Sequence, residues 1–241
     1  MKTQHPNIVE LEVYGRYALF SDPVTRVGGE KCSYQIPTYE ALKGIMASVY
    51  WKPTFLWYVD AVRIMNPIQM ETKGIRPIRM NGGNDLSYYT YLKDVRYQVK
   101  AHFEWNDNRP ELAADRNENK HHNIARRMVE KGGRRDIFLG TRECQGYVKP
   151  CRFGEGESAY DSIPELGFGV MYHGITYPDE AYSEETRSRI TVNLWNPMMK
   201  NGIVEFLRPE ECPVHKTIRP AEMKVFEDNR NFTGVREFGE E

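Results

Sequence analysis

Between Val95 and Trp105 the apolar residues Val95, Tyr97, Val99, Ala101, Phe103 and Trp105 alternate without a break with Arg96, Gln98, Lys100, His102 and Glu104. A period of two puts the two sets on opposite faces of a β-strand. This stretch is therefore a strand with one buried face, and the rest of the chain has to supply a layer that covers it.

The segments on either side suggest how. Val9, Leu11 and Val13 alternate with Glu10 and Glu12, a half-buried first strand, and a Gly/Ser-rich stretch follows from Thr25 to Ser33. After Pro37, Thr38 is an N-cap, and Leu42, Ile45, Met46, Val49 and Tyr50 fall on one helical face before Lys52-Pro53 stops it. A second strand fits Tyr58 to Met65. Thr72 to Asp85, with Gly74, Pro77 and Gly82-Gly83, reads as a long connection where a binding loop could sit. Beyond the alternating strand, Asn106 to Asn119 is polar and turn-rich. Lys120 to Lys131 reads as a short helix with Ile124, Ala125, Met128 and Val129 inward, ended by Gly132-Gly133, and Asp136 to Val148 returns to strand-like composition.

The order is β-α-β-β-α-β, so the fold class read here is α+β, with a ferredoxin-like, RRM-like domain over residues 1–150. Past Pro150 helix signals fade. Gly167–Ile175, Arg189–Trp195 and Gly202–Leu207 read as short strands, giving a small antiparallel β-sheet domain over 151–241 whose acidic tail, from about Pro220, frays. The 241 residues suit one large domain or two small ones.

The N-terminus lacks a signal-peptide core and no apolar run is long enough to span a bilayer, so the expectation is a cytoplasmic protein with no membrane partner. The four cysteines form no C-x-x-C pair. Cys144, Cys151 and Cys212 with His173 are too irregularly spaced to predict a zinc site, and no metal or cofactor is expected.

Motifs for nucleotide-binding loops, zinc proteases and serine hydrolases are absent, as is a carboxylate cluster of the kind a two-metal nuclease uses. With 33 basic and 34 acidic residues the chain does not advertise a polyanionic partner, so any nucleic-acid surface must be local. One segment offers it: KHHNIARRMVEKGGRRD, Lys120 to Asp136, carries six Lys and Arg against two acids. A solvated helix face is the plain reading of such a run. Position argues further. Lys120 and His121 fall in the first helical turn, where free N–H groups favour a phosphate, and Arg134 and Arg135 follow a Gly-Gly turn whose backbone can approach an anion. His121 lies on the inward edge, whereas His122 aligns with Arg126 and should be more exposed.

YALFSDP (Tyr17 to Pro23), SVYWKPTF (Ser48 to Phe55), DRNENKHHNI (Asp115 to Ile124) and above all KGGRRDIFLGTRECQGYV (Lys131 to Val148) resemble the CRISPR-associated endoribonuclease of type I-C systems, the fifth Cas family of the RAMP superfamily. The resemblance runs to about residue 215 and leaves out the acidic tail. It implies a ferredoxin-like domain followed by a β-sheet domain. It also implies a protein that cuts the precursor CRISPR RNA repeat hairpin without a metal, stays on the crRNA 5′ handle, and joins the other subunits of a type I-C surveillance complex. The family's catalytic tyrosine, lysine and histidine fall on Tyr50, Lys120 and His121. The expected roles are phosphorane charge for Lys120, proton transfer for His121 and orientation of the 2′-hydroxyl for Tyr50, since a tyrosine of ordinary pKa is a poor base. Arg126, Arg127, Lys131, Gly132, Gly133, Arg134 and Arg135 are the expected RNA contacts. Two other readings stay open at this point: a non-catalytic subunit that caps the 5′ handle, and, disfavoured by the missing carboxylates, a metal-dependent DNA nuclease.

Overall fold

In the computed structural model, which describes residues 6–223, the first part of the chain runs β1 (Val9–Ala18), α1 (Tyr39–Val49), β2 (Phe55–Ile64), β3 (Met70–Ile75), β4 (Ser87–Trp105), α2 (Glu118–Glu130), β5 (Ile137–Phe138) and β6 (Gln145–Pro150). Then come β7 (Leu166–Gly167), β8 (Met171–Thr176), β9 (Arg189–Trp195), β10 (Met198–Lys200), β11 (Ile203–Glu205) and β12 (Val214–Pro220). Among the described residues the fold is mixed α/β, with two α-helices and antiparallel sheets. Among the described residues no helix is long and apolar enough to cross a membrane. The acidic tail, from residue 224 onward, lies outside the described residues.

The alternating stretch is the second half of β4, which has 19 residues. At Asp94 the backbone takes φ 49°, a left-handed conformation that aspartate tolerates better than most residues. Just before it Tyr91 and Leu92 are both buried, so the in-out phase slips there and the sequence pattern is legible only from Val95. The segment from Thr72 is not wholly a connection. Strand β3 pairs with β4 in register from Met70–Leu92 to Ile75–Ser87, and its exposed, polar composition hid an edge strand.

Asp136 to Val148 is likewise a hairpin, β5 against β6, rather than one strand. Gly140 makes its turn at φ +93°, where a Cβ would sit 2.1 Å from the Leu19 carbonyl oxygen.

The larger sheet runs β5-β6-β1-β4-β2-β11-β10-β7, with β3 on the far end of β4. Strands beyond residue 150 therefore divide. The hairpin β10–β11 continues the first sheet through β11 on β2, and only β8, β9 and β12 form a separate sheet.

Both helices cover one face of the large sheet. Thr38 caps α1 by accepting from Ala41 N, and Leu42, Ile45, Met46 and Val49 are buried in one core cluster with Phe55, Trp57, Val99 and Phe103. Each side chain of this size contributes about 1.5–3 kcal/mol by leaving water. Helix α2 buries Ala125 and Val129. On the opposite face the segment after β6 covers β4: Gln98 donates to Glu155 O and accepts from Gly154 N, and Arg63 holds Glu155 O, Gly156 O and Asp161.

Candidate active site

Tyr50 ends α1. As C-cap it leaves the helix at φ −160°, its N–H donates to Met46 O at 2.9 Å, and its own carbonyl accepts from Trp57 Nε1. The last carbonyls of α1 would lack partners, and the turn after α2 supplies them: Arg134 N donates to Val49 O and Arg135 N to Ser48 O. The turn can do so because Gly132 and Gly133 have φ +81° and +106°, closing α2 through bonds to Val129 O and Met128 O. The C-terminal end of one helix and the Gly-Gly turn that ends the other are thereby joined beside Tyr50.

Helix α2 starts at Glu118, two residues before the expected Lys120, because Asn117 caps it by accepting from Lys120 N at 3.0 Å. The Lys120 N–H that the sequence left open for a phosphate is thus already occupied, and the first turn carries Glu118, which accepts from Asn7. His121 then points inward and is completely buried, with Phe55, Phe103 and Trp105 around its ring. Its Nε2 lies 2.8 Å from the Asp115 backbone oxygen and its Nδ1 lies 2.8 Å from the Tyr50 hydroxyl. A carbonyl oxygen only accepts, so Nε2 carries the proton. In the neutral ring Nδ1 then accepts from the Tyr50 hydroxyl.

Asp115 gathers the rest. Its carboxylate accepts from Thr54 Oγ1 at 3.0 Å, pairs with the half-exposed ammonium of Lys120 and stands 3.5 Å from His121 Nε2. The bond from Lys120, against a smaller cost of burial, holds the Asp115 carboxyl below its ordinary pKa. Burial, with Asp115 adding to it, raises the Tyr50 phenol above its ordinary value, and the Arg134 guanidinium opposes the rise. Tyr50 is 2% exposed, and among the described residues nothing else hydrogen-bonds to its hydroxyl oxygen, which keeps its lone pairs free.

Tyr50 and His121 thus touch, while Lys120 reaches them only through Asp115. Arg134 stands beside Tyr50. Arg126 and Arg127 line a shallow groove on the exposed side of α2 with Lys120, Asn123 and Glu130, and Lys131 and Arg135 are exposed at the turn. None of Arg126, Arg127, Lys131, Arg134 and Arg135 forms an ion pair among the described residues. His122 acts elsewhere, its Nε2 bonding Ile8 O at 2.9 Å and so tying α2 to the start of β1. Asp115 and Thr54 were given no role by the sequence, because one acid in a polar stretch carries no signature and a backbone acceptor carries none at all. The four cysteines are free thiols, and His173 is buried with Nε2 on Leu207 O.

Comparison with known proteins bears on this arrangement. Residues 8–207 match a family model described as CRISPR-associated protein Cas5. The CRISPR pre-crRNA endoribonuclease Cas5d of Thermus thermophilus is 29% identical over 71% of this chain and 75% of its own length. The protein of the same name from Mannheimia succiniciproducens is 27% identical over 52% of this chain, a match that spans 64% of that relative. A crystal structure described as that of a CRISPR-associated protein superposes with a TM-score of 0.74 and 36% identity, covering 87% of this chain and 96% of the other.

Proposed function

This chain belongs to the CRISPR-associated Cas5 family, and on that premise we propose that it is an endoribonuclease that cuts precursor CRISPR RNA at its repeat hairpin. The observation that carries the reading is the hydrogen-bonded line from Tyr50 through His121 to Asp115, with Lys120 on the same carboxylate. After cutting, the protein stays on the 5′ handle as a subunit of a type I-C surveillance complex. We read β1-α1-β2-β4-α2-β6 as its ferredoxin-like unit, which the spatial order β6-β1-β4-β2 supports.

The geometry assigns the proton work differently from the residue types alone. Both side chains are buried, Tyr50 at 2% exposure and His121 at 0%, but both His121 nitrogens are engaged whereas the Tyr50 hydroxyl oxygen has free lone pairs. Of the two, Tyr50 is therefore the group with an acceptor left for the RNA. As the ribose 2′-oxygen attacks the adjacent phosphorus, its proton passes to the Tyr50 oxygen while the phenolic proton passes to His121 Nδ1. A free phenolate never forms, which suits a phenol whose pKa is raised. The resulting imidazolium has the Asp115 carboxylate 3.5 Å away. Lys120, turning from Asp115 to the RNA, offsets the phosphorane charge and passes one of its protons to the departing 5′-oxygen, leaving a neutral amine. The products are a 2′,3′-cyclic phosphate and a 5′-hydroxyl, and no metal takes part.

The test is a labelled repeat hairpin in excess EDTA beside the same hairpin with one 2′-deoxy sugar at the scissile position. The first is cut, and the second binds uncut. Cutting of the deoxy substrate refutes the 2′-hydroxyl as nucleophile, dependence on a divalent ion refutes metal independence, and binding of both without cutting identifies a non-catalytic handle-binding subunit.

A further inference from the structure

On the sheet face away from the two helices, Tyr14 of β1 and Tyr147 of β6 stand directly opposite each other in register. Their neighbours Val13 and Val148 are buried, so strand alternation turns both tyrosines outward, where they are 36% and 51% exposed. The ring centroids are 5.6 Å apart with planes inclined by 31°. Lys149 Nζ lies 5.2 Å from the Tyr14 ring centroid. Lys149 and Arg96 share a single carboxylate, Glu12, each at 2.9 Å, and that carboxylate is nearly buried between them. With the exposed Arg16, two residues along β1, the three cations Lys149, Arg96 and Arg16 outnumber the two carboxylates Glu12 and Glu10 on this face of β1, β4 and β6. Apart from each other and Lys149 over Tyr14, the two rings have no aromatic or cationic partner among the described residues.

From this face we infer a second RNA-binding surface, which takes single-stranded RNA by stacking two neighbouring bases on Tyr14 and Tyr147 while Arg16, Arg96 and Lys149 contact the phosphates. The chemistry of the patch selects this occupant. Beside Phe138 of β5, the neighbouring strand positions on this face carry charged side chains, Glu10, Glu12, Arg16, Arg96 and Lys149, and none of the aliphatic residues that a protein interface core requires. Exposed ring faces flanked by cations match unpaired bases on a charged backbone. A duplex buries its base faces in its own stack, so the occupant is single-stranded RNA flanking the hairpin. The inference rests on the reading of this chain as a hairpin-binding endoribonuclease and extends it to RNA on the opposite face of the sheet from Tyr50 and His121.

Two RNAs test it, both blocked by a 2′-deoxy sugar at the scissile position: the bare hairpin, and the hairpin with a single-stranded flank of roughly eight nucleotides, within the range that one small stacking surface covers. The flank should tighten binding to the unaltered protein. Tyr14→Ala and Tyr147→Ala should each weaken binding of the flanked RNA by roughly 5-fold to 150-fold, the usual range for losing one stacked base, and leave the bare hairpin's affinity unchanged. Tyr14→Phe and Tyr147→Phe should bind like the unaltered protein, since stacking uses the ring. The inference is overturned if the flank adds no affinity, if the alanine variants keep the gain, or if phenylalanine loses as much as alanine. It is equally overturned if the alanine variants bind both RNAs normally but no longer assemble with other subunits, which makes the face a protein interface. Failure of the unaltered protein to bind the bare hairpin refutes the proposed function instead, and the gain from the flank still reports separately on the tyrosines. Because both side chains are exposed, an unchanged melting temperature confirms that the variants are folded.

Discussion

Replacing Tyr50 by Phe removes one oxygen and nothing else. The ring keeps its place against Phe55 and His121, so no cavity opens. What is lost is the 2.8 Å bond to His121 Nδ1, and this nitrogen is left buried without a donor. A buried acceptor stripped of its partner costs about 1–3 kcal/mol. Against a total stability of about 5–15 kcal/mol that leaves the protein folded at 25 °C, with its melting temperature lowered by about 2–4 °C for each kcal/mol. The effect on chemistry should be much larger, because the group that receives the 2′-hydroxyl proton is gone. A drop of roughly 10²-fold to 10⁴-fold in cleavage is expected, the range for a positioned acid or base. Single-turnover cleavage with saturating enzyme separates this from binding, and the uncut deoxy hairpin should bind Tyr50→Phe as it binds the unaltered protein. Cleavage by Tyr50→Phe within about threefold of normal, well short of the range for a lost proton-transfer group, would refute the relay through Tyr50. A loss of hairpin affinity as large as the loss of rate would instead make Tyr50 a binding group.

The two adjacent histidines should differ. His121→Asn should reduce single-turnover cleavage by roughly 10²-fold or more, while His122→Asn, which touches only the bond to Ile8 O, should cut near normally but melt at a lower temperature; equal rate losses would overturn the register. Replacing Arg134 and Arg135 together by Ala should weaken RNA binding and lower the salt-dependence slope by up to about two; an unchanged slope in a folded variant would show that neither meets a phosphate. The bidentate Arg208, despite the opposing effect of burial, lowers the Glu104 pKa to about 2, so its stabilising contribution is complete above the ordinary carboxyl value and is lost as pH falls toward 2. Arg208→Gln should therefore lose stability at neutral pH and converge with the unaltered protein in acid denaturation near pH 2, and a difference that persists at that pH would contradict the assignment.

What the sequence revealed were local features. The alternation of β4, the Thr38 cap of α1 and the Gly132-Gly133 stop of α2 all depend on neighbours within a few residues, and each stands in the structure where its pattern placed it. Helical register alone turned His121 inward and left His122 near the surface. Strand β3 was hidden because an exposed edge strand needs no apolar alternation. The division of the later strands between two sheets depends on partners, such as β2 for β11, that no local pattern names. Within the candidate site the same limit applies. Tyr50, Lys120 and His121 came from residue type and resemblance, but the carboxylate that connects them and the carbonyl that sets the His121 tautomer come from a polar stretch whose conformation only tertiary packing decides.

The pairing of β11 with β2 also bears on how the protein is made. Ile203 meets Arg63 across more than half of the chain, so during synthesis the β2 edge emerges from the ribosome long before its partner exists. Until then it presents unpaired backbone donors and acceptors, a template for another nascent chain. Closing contacts this distant in sequence is slow, because the entropy of the intervening loop must be overcome first. The large sheet is complete only once the β10–β11 hairpin has docked on β2. Yield in the cell should depend more on that late event than on the stability of the helices packed on the other side.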